Sequence, residues 1–285
     1  YKAKKQRNQY KIYDPVMNHK AKEQLQLDFD LRQAFLQGDL ELHYQPQIDI
    51  NTHECVGVEA LLRWHHPKKG WISPGTFLPL AEETGLIIQI DSWVLHQAAQ
   101  QLKNWLDQGI DLQRMSINIS NKMFHSGLLV NTVKKILKET QLDPSMIELE
   151  LTENITMYED TTSRIMQDLK NTGVQISIDD FGTGYSSLGS LKTLPFDRLK
   201  IDRSFIQGIL PHSKEYAIVT SIVTMARTMG IGVMAEGVES LHELKLLKSL
   251  KCHEAQGFYF SKPLPVQDIE SYFDHLKTKF VMAKN

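Results

Sequence analysis

From residue 40 onward, two rhythms of apolar residues alternate along the chain. One has a period of two, as in QISIDD (175–180), where Ile176 and Ile178 alternate with Gln175, Ser177 and Asp179. Such alternation sends the two sets to opposite faces of a strand. The same rhythm predicts strands at LELHYQPQI (40–48), CVGVEALLRW (55–64), MSINIS (115–120), IELELTE (147–153), RLKID (198–202), IGVMAEG (231–237) and AQGFYF (255–260). The other rhythm is helical. In DSWVLHQAAQQLKNWLDQG, Leu95, Ala98, Ala99, Leu102, Trp105 and Leu106 form one stripe, with Asp91 placed to cap the start and Gly109 the end. KEYAIVTSIVTMARTMG, closed by Gly230, reads the same way. In residues 25–38, Leu27, Leu31, Phe35 and Leu36 have the spacing of an amphipathic helix ended by Gly38. Residues 1–24 are basic and polar, with Pro15 breaking them, which suggests a linker or frayed end.

Strands and helices thus alternate through about 250 residues, which fits an α/β (β/α)8 barrel; an open doubly wound sheet is the alternative. The first two strands are joined by DINTHE, too short for a helical crossover, so they should form an antiparallel hairpin. A barrel makes a demand: its chemistry should sit at the C-terminal ends of the strands.

Acids stand at those ends. Glu59 follows Val56 and Val58; Asn118 alternates with Ile117 and Ile119; Glu150 lies between Leu149 and Leu151, with Glu153 after it. Asp179 and Asp180 end the fifth strand, Lys200 lies between Leu199 and Ile201, and Glu236 follows Val233 and Ala235. With the apolar sets under the helices, the polar sets point to the barrel axis. One rim would gather carboxylates that repel one another unless cations lie between them. Oxygen-only ligands favour Mg²⁺, Mn²⁺ or Ca²⁺ over zinc. Two ions suggest phosphoester hydrolysis; one ion with a lysine suits enolate chemistry. Glu148 shares the parity of Glu150, and spacing does not say which is the ligand. Alone, each of these residues is as well explained by a salt bridge, a cap or a solvated turn. FGTGYSSL lacks the Gly-Lys-Ser/Thr ending of a P-loop. His65 and His66 read as a surface loop. Arg63 and Trp64 are candidates to clamp a phosphate and stack on a base.

Composition narrows the class. At 41% hydrophobic and 23% charged, the 285 residues are those of an ordinary globular protein. A net charge of -2 gives no electrostatic case for a nucleic-acid polymer as partner. No apolar run is long enough to span a bilayer. Two cysteines, Cys55 and Cys252, suit a reducing compartment. The chain opens on YKAKKQ without a methionine and reads as part of something longer, so a membrane segment elsewhere is not excluded.

Together the motifs resemble the EAL-domain family of bacterial cyclic di-GMP phosphodiesterases. YQPQID (44–49), Glu59-Ala60-Leu61 continuing as LLRW, SINIS (116–120), ELTE (150–153), IDDFGTGYSSL (178–188), LKID (199–202), AEGVE (235–239) and QGFYFSKPL (256–264) follow in the family's order. The similarity covers roughly residues 25 to 275. It implies a modified barrel with an antiparallel first strand, and cleavage of cyclic di-GMP to 5′-pGpG with two Mg²⁺ or Mn²⁺ ions, Ca²⁺ being inhibitory. It also implies metal ligation by Glu59, Asn118, Glu150, Asp179, Asp180 and Glu236, choosing Glu150 over Glu148. Lys200 would hold the nucleophilic water or the scissile phosphate. Glu153 would brace the 178–188 loop, and Gln45, Arg63, Glu239 and Gln256 would contact substrate. A homodimer through that loop is a further implication. YKAKKQRNQYKIYD resembles the end of a GGDEF diguanylate cyclase domain, which often precedes an EAL domain. The implied division is therefore 1–14 as GGDEF remnant, 15–24 as linker and 25–285 as EAL domain. The compartment would be the bacterial cytoplasm, or the cytoplasmic face of the inner membrane if preceding segments span it. The rivals are a receptor that binds cyclic di-GMP without cleaving it, expected to have lost metal ligands, and an unrelated enolase-type barrel.

Overall fold

A computed structural model describes residues 15–157, 159–183 and 193–273. Helix α1 (Pro15–Gln37) leads into strands β1 (Leu40–Asp49) and β2 (Cys55–His66) and a short β3 (Gly70–Ile72). Helices α2 (Pro74–Thr84) and α3 (Ile87–Asp107) precede β4 (Arg114–Ile119), and α4 (Asn121–His125) and α5 (Leu129–Thr140) precede β5 (Ile147–Thr152). Then come α6 (Glu159–Lys170), β6 (Gln175–Phe181), β7 (Arg198–Ile201), α7 (Lys214–Met229), β8 (Gly232–Ala235), α8 (Leu241–Ser249) and β9 (Glu254–Ala255).

The sheet runs β1-β9-β8-β7-β6-β5-β4-β2-β3, and β1 also pairs with β2. That last pairing closes eight strands into the expected barrel, with β3 appended to β2. β1 is antiparallel to both β2 and β9, while the other neighbours around the barrel are parallel. The hairpin read from DINTHE is therefore present. The apolar strand positions Val58, Ile117, Leu149, Ile176, Leu199 and Val233 are buried outside the barrel wall, against helices such as α3 and α7.

Inside the barrel lie two layers of polar side chains instead of the usual branched aliphatics. In the lower layer, Glu148 accepts hydrogen bonds from Ser116 Oγ at 2.8 Å and Arg198 Nε at 2.8 Å. Arg114 donates to Gln47 at 2.8 Å and pairs with Glu254 at 2.5 Å, and Arg198 Nη1 reaches the same carboxylate at 2.8 Å. Two arginines thus balance two glutamates. Burial alone would raise the Glu148 carboxyl, but Arg198 and Arg114 outweigh it and hold it below the usual range. Gly57 makes room for this layer, since a Cβ there would lie 2.5 Å from Arg114 Cγ.

Several expectations need correction. Residues 15–24, read as a linker or frayed end, are helical within α1. On α1, Leu31 and Ala34 are buried, but Leu36 is exposed at 76%. The strand expected over 255–260 stops after Ala255, because the following backbone pairs with a neighbouring turn: Val238 N donates to Gln256 O, and Tyr259 N to Val238 O. β8 likewise covers only part of 231–237. His65 and His66 belong to β2, and His66 is buried against Asp30 at 3.1 Å. The GGDEF-like residues 1–14 lie outside the described residues.

Asp91 is not a helix cap. It sits inside α3, where Oδ2 accepts from Ser120 N at 3.0 Å and Ser120 Oγ at 2.6 Å. Burial pushes its carboxyl from 3.8 to about 6 despite those bonds. A raised folded-state pKa means stability that is fully present below about pH 4 and lost as pH rises through 6, amounting to about 3 kcal/mol. Asp91→Asn keeps an acceptor and removes the charge. In urea titrations its stability relative to the parent should grow between pH 4 and 6; a difference flat across that window would mean that Ser120 holds Asp91 at its ordinary pKa.

Candidate active site

The upper layer centres on Lys200, which is fully buried. Its Nζ lies 2.5 Å from Glu236 Oε1, 2.8 Å from Glu150 Oε2, and 3.6 Å from both Glu59 Oε2 and Asp179 Oδ1. The 2.8 Å approach to Glu150 is a charge contact rather than a hydrogen bond: Lys200 Nζ and both Glu150 oxygens are buried and poorly aligned for one. Glu59 is better satisfied, accepting from Asn118 Nδ2 at 2.6 Å and Gln256 Nε2 at 2.5 Å. Gln256 Nε2 also donates to Gln45 at 2.9 Å. Six strands, and the residues just after β8 and β9, contribute these groups, because the strands alternate apolar-out and polar-in around one mouth.

Asp179 and Asp180 converge by a different device. Consecutive strand residues face opposite ways, but pairing of β6 with β7 slips between Ile178 and Phe181, and Asp180 has a positive φ of 55°. The result brings oxygens of Asp179, Asp180 and Glu236 within 4.8 Å of one another. Just beyond, Glu153 Oε2 accepts from the backbone N of Gly182 at 3.0 Å.

The electrostatics are lopsided. Burial would lower Lys200, but Asp179, Glu150, Glu236 and Glu59 outweigh it and keep the ammonium charged. Burial and the Glu59 carboxylate push Glu150 well above the usual range. Burial pushes Glu236 to about 8 and raises Asp179. Asp180 rises to about 6 through desolvation, then Asp179 and Asp202. Glu59 alone is lowered, because Lys200 and its amide donors outweigh its burial. Glu150 and Glu236, pushed furthest up in this crowd of acids, favour their protonated forms and would give up those protons to a cation. The bare Glu150 oxygens and the all-oxygen donor set fit a hard divalent metal.

Two cavities open on either side of Glu59. One, of about 360 Å³, is lined by Glu59, Leu61, Arg63, Asp91, Asn118 and Thr152. The other, of about 250 Å³, is lined by Gln45, Asp179, Arg203, Gln207, Glu239 and Phe258 among others. All four expected substrate residues therefore reach the site, Arg63 on one side and Gln45, Glu239 and Gln256 on the other. Glu239 accepts from Gln207 Nε2 at 2.9 Å. Arg203, Gln207 and Asp91 were not read from sequence as site residues. Their helical or loop positions carry no strand alternation that would reveal them. Trp64 is a correction: it is fully buried on the outer face, against Phe77 at 5.7 Å, and does not reach the cavities. Residues 184–188 of the expected loop lie outside the described residues.

The comparisons agree with this geometry. The EAL domain profile matches residues 29–263. The chain is 46% identical over 271 residues to the bifunctional diguanylate cyclase/cyclic di-GMP phosphodiesterase MucR of Pseudomonas aeruginosa, covering 94% of this chain and 40% of that protein. It is 39% identical over 267 residues to the cyclic di-GMP phosphodiesterase NbdA of the same organism, covering 93% of this chain and 34% of that one. It thus spans two fifths or less of the length of both relatives. Among solved structures, the PaMucR phosphodiesterase in complex with c-di-GMP superposes with a TM-score of 0.82 at 46% identity, covering 86% of this chain and 99% of that one. The EAL enzyme Bd1971, bound to cAMP and cyclic di-GMP, gives 0.85 at 36% identity, covering 89% and 70%. A barrel mouth of this composition, matched over most of its length, places the chain in the EAL domain family.

Proposed function

We propose that this chain is a metal-dependent phosphodiesterase that hydrolyses cyclic di-GMP to linear 5′-pGpG. The observation that carries the proposal is the ring of four carboxylates around the buried Lys200, of which Glu59 and Glu150 are themselves buried, with both Glu150 oxygens bare of hydrogen bonds. The names of MucR and NbdA support the substrate. Two Mg²⁺ or Mn²⁺ ions would be held by Glu59, Asn118, Glu150, Asp179, Asp180 and Glu236. When bound, they supply an activated water at neutral pH and neutralise the phosphate's developing charge.

The chain's own groups do the rest. Lys200 faces the mouth as a fixed cation that holds the attacking water or a phosphate oxygen. Glu59 on β2 and Glu236 just past β8 both contact Lys200 and help to fix its position. The amides of Asn118 and Gln256 orient Glu59. Arg63, Gln45, Glu239 and Gln256 contact the nucleotide on either side of the scissile bond. Attack at phosphorus breaks the bond to the 3′-oxygen, which leaves the 5′-phosphate of pGpG. Glu153 braces the loop after Asp180 through Gly182. We also propose that the EAL domain comprises 25–285, following a GGDEF domain, and that two copies pair through the 178–188 loop. The receptor alternative expects lost ligands, and every ligand position is filled here.

Glu59→Ala is expected to lower turnover below about one hundredth, since even partners of metal ligands cost 10–100-fold. Chromatography of the products with Mg²⁺ and with excess EDTA checks this; near-normal product from the variant would sink the assignment. Cation binding to the folded state alone also raises its stability, by about 2.7 kcal/mol at a hundred times Kd. Glu150→Gln relieves repulsion and removes a ligand. It should therefore melt higher than the parent in EDTA yet lose the upward shift given by Mg²⁺. Loss of stability in EDTA would mean that Glu150 is held by Lys200 as a structural pair.

A further inference from the structure

We propose that Trp71 is a stacking platform for a purine base of the substrate, resting on the cyclic di-GMP reading above. Gln45 and Glu59 are paired across β1 and β2 and meet through Gln256 in the mouth, so their parity defines the inner face. Above them on that face stand His43 on β1 and Leu61, Arg63 and His65 on β2, and Trp71 pairs with His65 across β2 and β3. The opposite parity, Leu42, Leu62 and Trp64, is buried against the helices. The ribbon β1–β2–β3 therefore rises above the barrel rim as a wall whose inner face is open and continuous with the site. Leu61 borders both cavities and Arg63 one of them.

On that wall Trp71 is 57% exposed, although a large aromatic ring is normally covered. Its ring has two steeply inclined aromatic neighbours and no parallel stack with either: His43 lies 5.5 Å away at 72° and His65 5.0 Å away at 66°. His43 is itself anchored to Glu41 at 2.8 Å. Two T-shaped contacts immobilise the indole without occupying it by parallel stacking, so a base can gain stacking energy at little ordering cost. The occupant is argued from continuity. A dinucleotide whose phosphate meets Arg63 carries planar bases outward from the metal centre, and the wall beyond Arg63 presents an aromatic surface. No group of three His, Cys, Asp or Glu side chains with ligand atoms close enough for a metal includes these histidines among the described residues.

The test compares the parent chain, Trp71→Ala and Trp71→Phe on two phosphodiesters, cyclic di-GMP and bis(p-nitrophenyl) phosphate, which lacks a purine. Trp71→Ala should raise KM for cyclic di-GMP by about tenfold, with kcat less affected. It should leave bis(p-nitrophenyl) phosphate hydrolysis unchanged, and Phe should restore most of the loss. An unchanged KM for cyclic di-GMP overturns the proposal. An equal loss on both substrates, not rescued by Phe, overturns it too, because Trp71 would then only support the wall. If the parent cleaves bis(p-nitrophenyl) phosphate but not cyclic di-GMP, the substrate reading itself falls and takes this proposal with it.

Discussion

The structure depends on an unbalanced charge sealed inside a barrel. Around Lys200, four carboxylates from four different strands meet one ammonium. One layer below, Arg114 and Arg198 match Glu148 and Glu254 charge for charge. Both layers are desolvated, and at such distances a like-charge pair costs several kcal/mol where water is scarce. The chain can neutralise a buried layer, because it does so directly beneath. The deficit above is therefore not a general tolerance of the fold for buried acids. It is a property of this cluster of oxygens, and burial among like charges raises Glu150, Glu236 and Asp179 together.

Strand direction decides where that deficit can sit. Parallel strands run toward one rim, where Glu59, Asn118, Glu150, Asp179 and Lys200 gather. β1 runs the other way, so its contribution to the mouth, Gln45, comes from mid-strand, and its early residues stand above the rim. The reversed strand does two jobs. It lays an amide network of Gln45 and Gln256 beside Glu59, and it lifts a wall over one side of the cleft.

The legible parts of the sequence are those where alternation holds. Parity put Glu59, Asn118 and Lys200 on the inner face, since each is flanked by buried apolar neighbours; it put Glu148 and Glu150 there together, and only the family resemblance chose Glu150. Parity also shows that Arg63 and Trp64 cannot serve together, because adjacent strand residues face opposite ways. Reading them as a joint clamp was an error available to correction from the sequence itself. Other failures were not. Asp91 resembles a cap by composition, and only tertiary packing shows that its partner is Ser120, on the far side of β4. The segment 255–260 is apolar enough for a strand, but its backbone is claimed by the turn at Val238, where Gly257 packs so closely that a Cβ would lie 2.2 Å from the carbonyl oxygen. Leu36 has helical spacing yet faces outward, because the buried stripe of α1 runs through Leu31 and Ala34.

Asp179 and Asp180 show where pattern and chemistry part. A regular strand would turn one of them away from the mouth. The register slip against β7 and the left-handed backbone at Asp180 bring both to the same side, at a conformation Asp tolerates better than most residues. That distortion needs a reason to persist. The chain beyond it supplies one: Gly182 at φ 100° fits under Phe205, where a Cβ would approach to 2.8 Å, and its N–H is held by Glu153. Glu153 follows directly on β5, the strand that carries Glu150. The start of the loop and the carboxylate cluster are thus one mechanical unit, tied by the hydrogen bond between Glu153 and Gly182. A displacement of residues 181–183 cannot leave the Asp179–Asp180 pair where it is, and the geometry of these carboxylate oxygens is set as much by that loop as by the barrel.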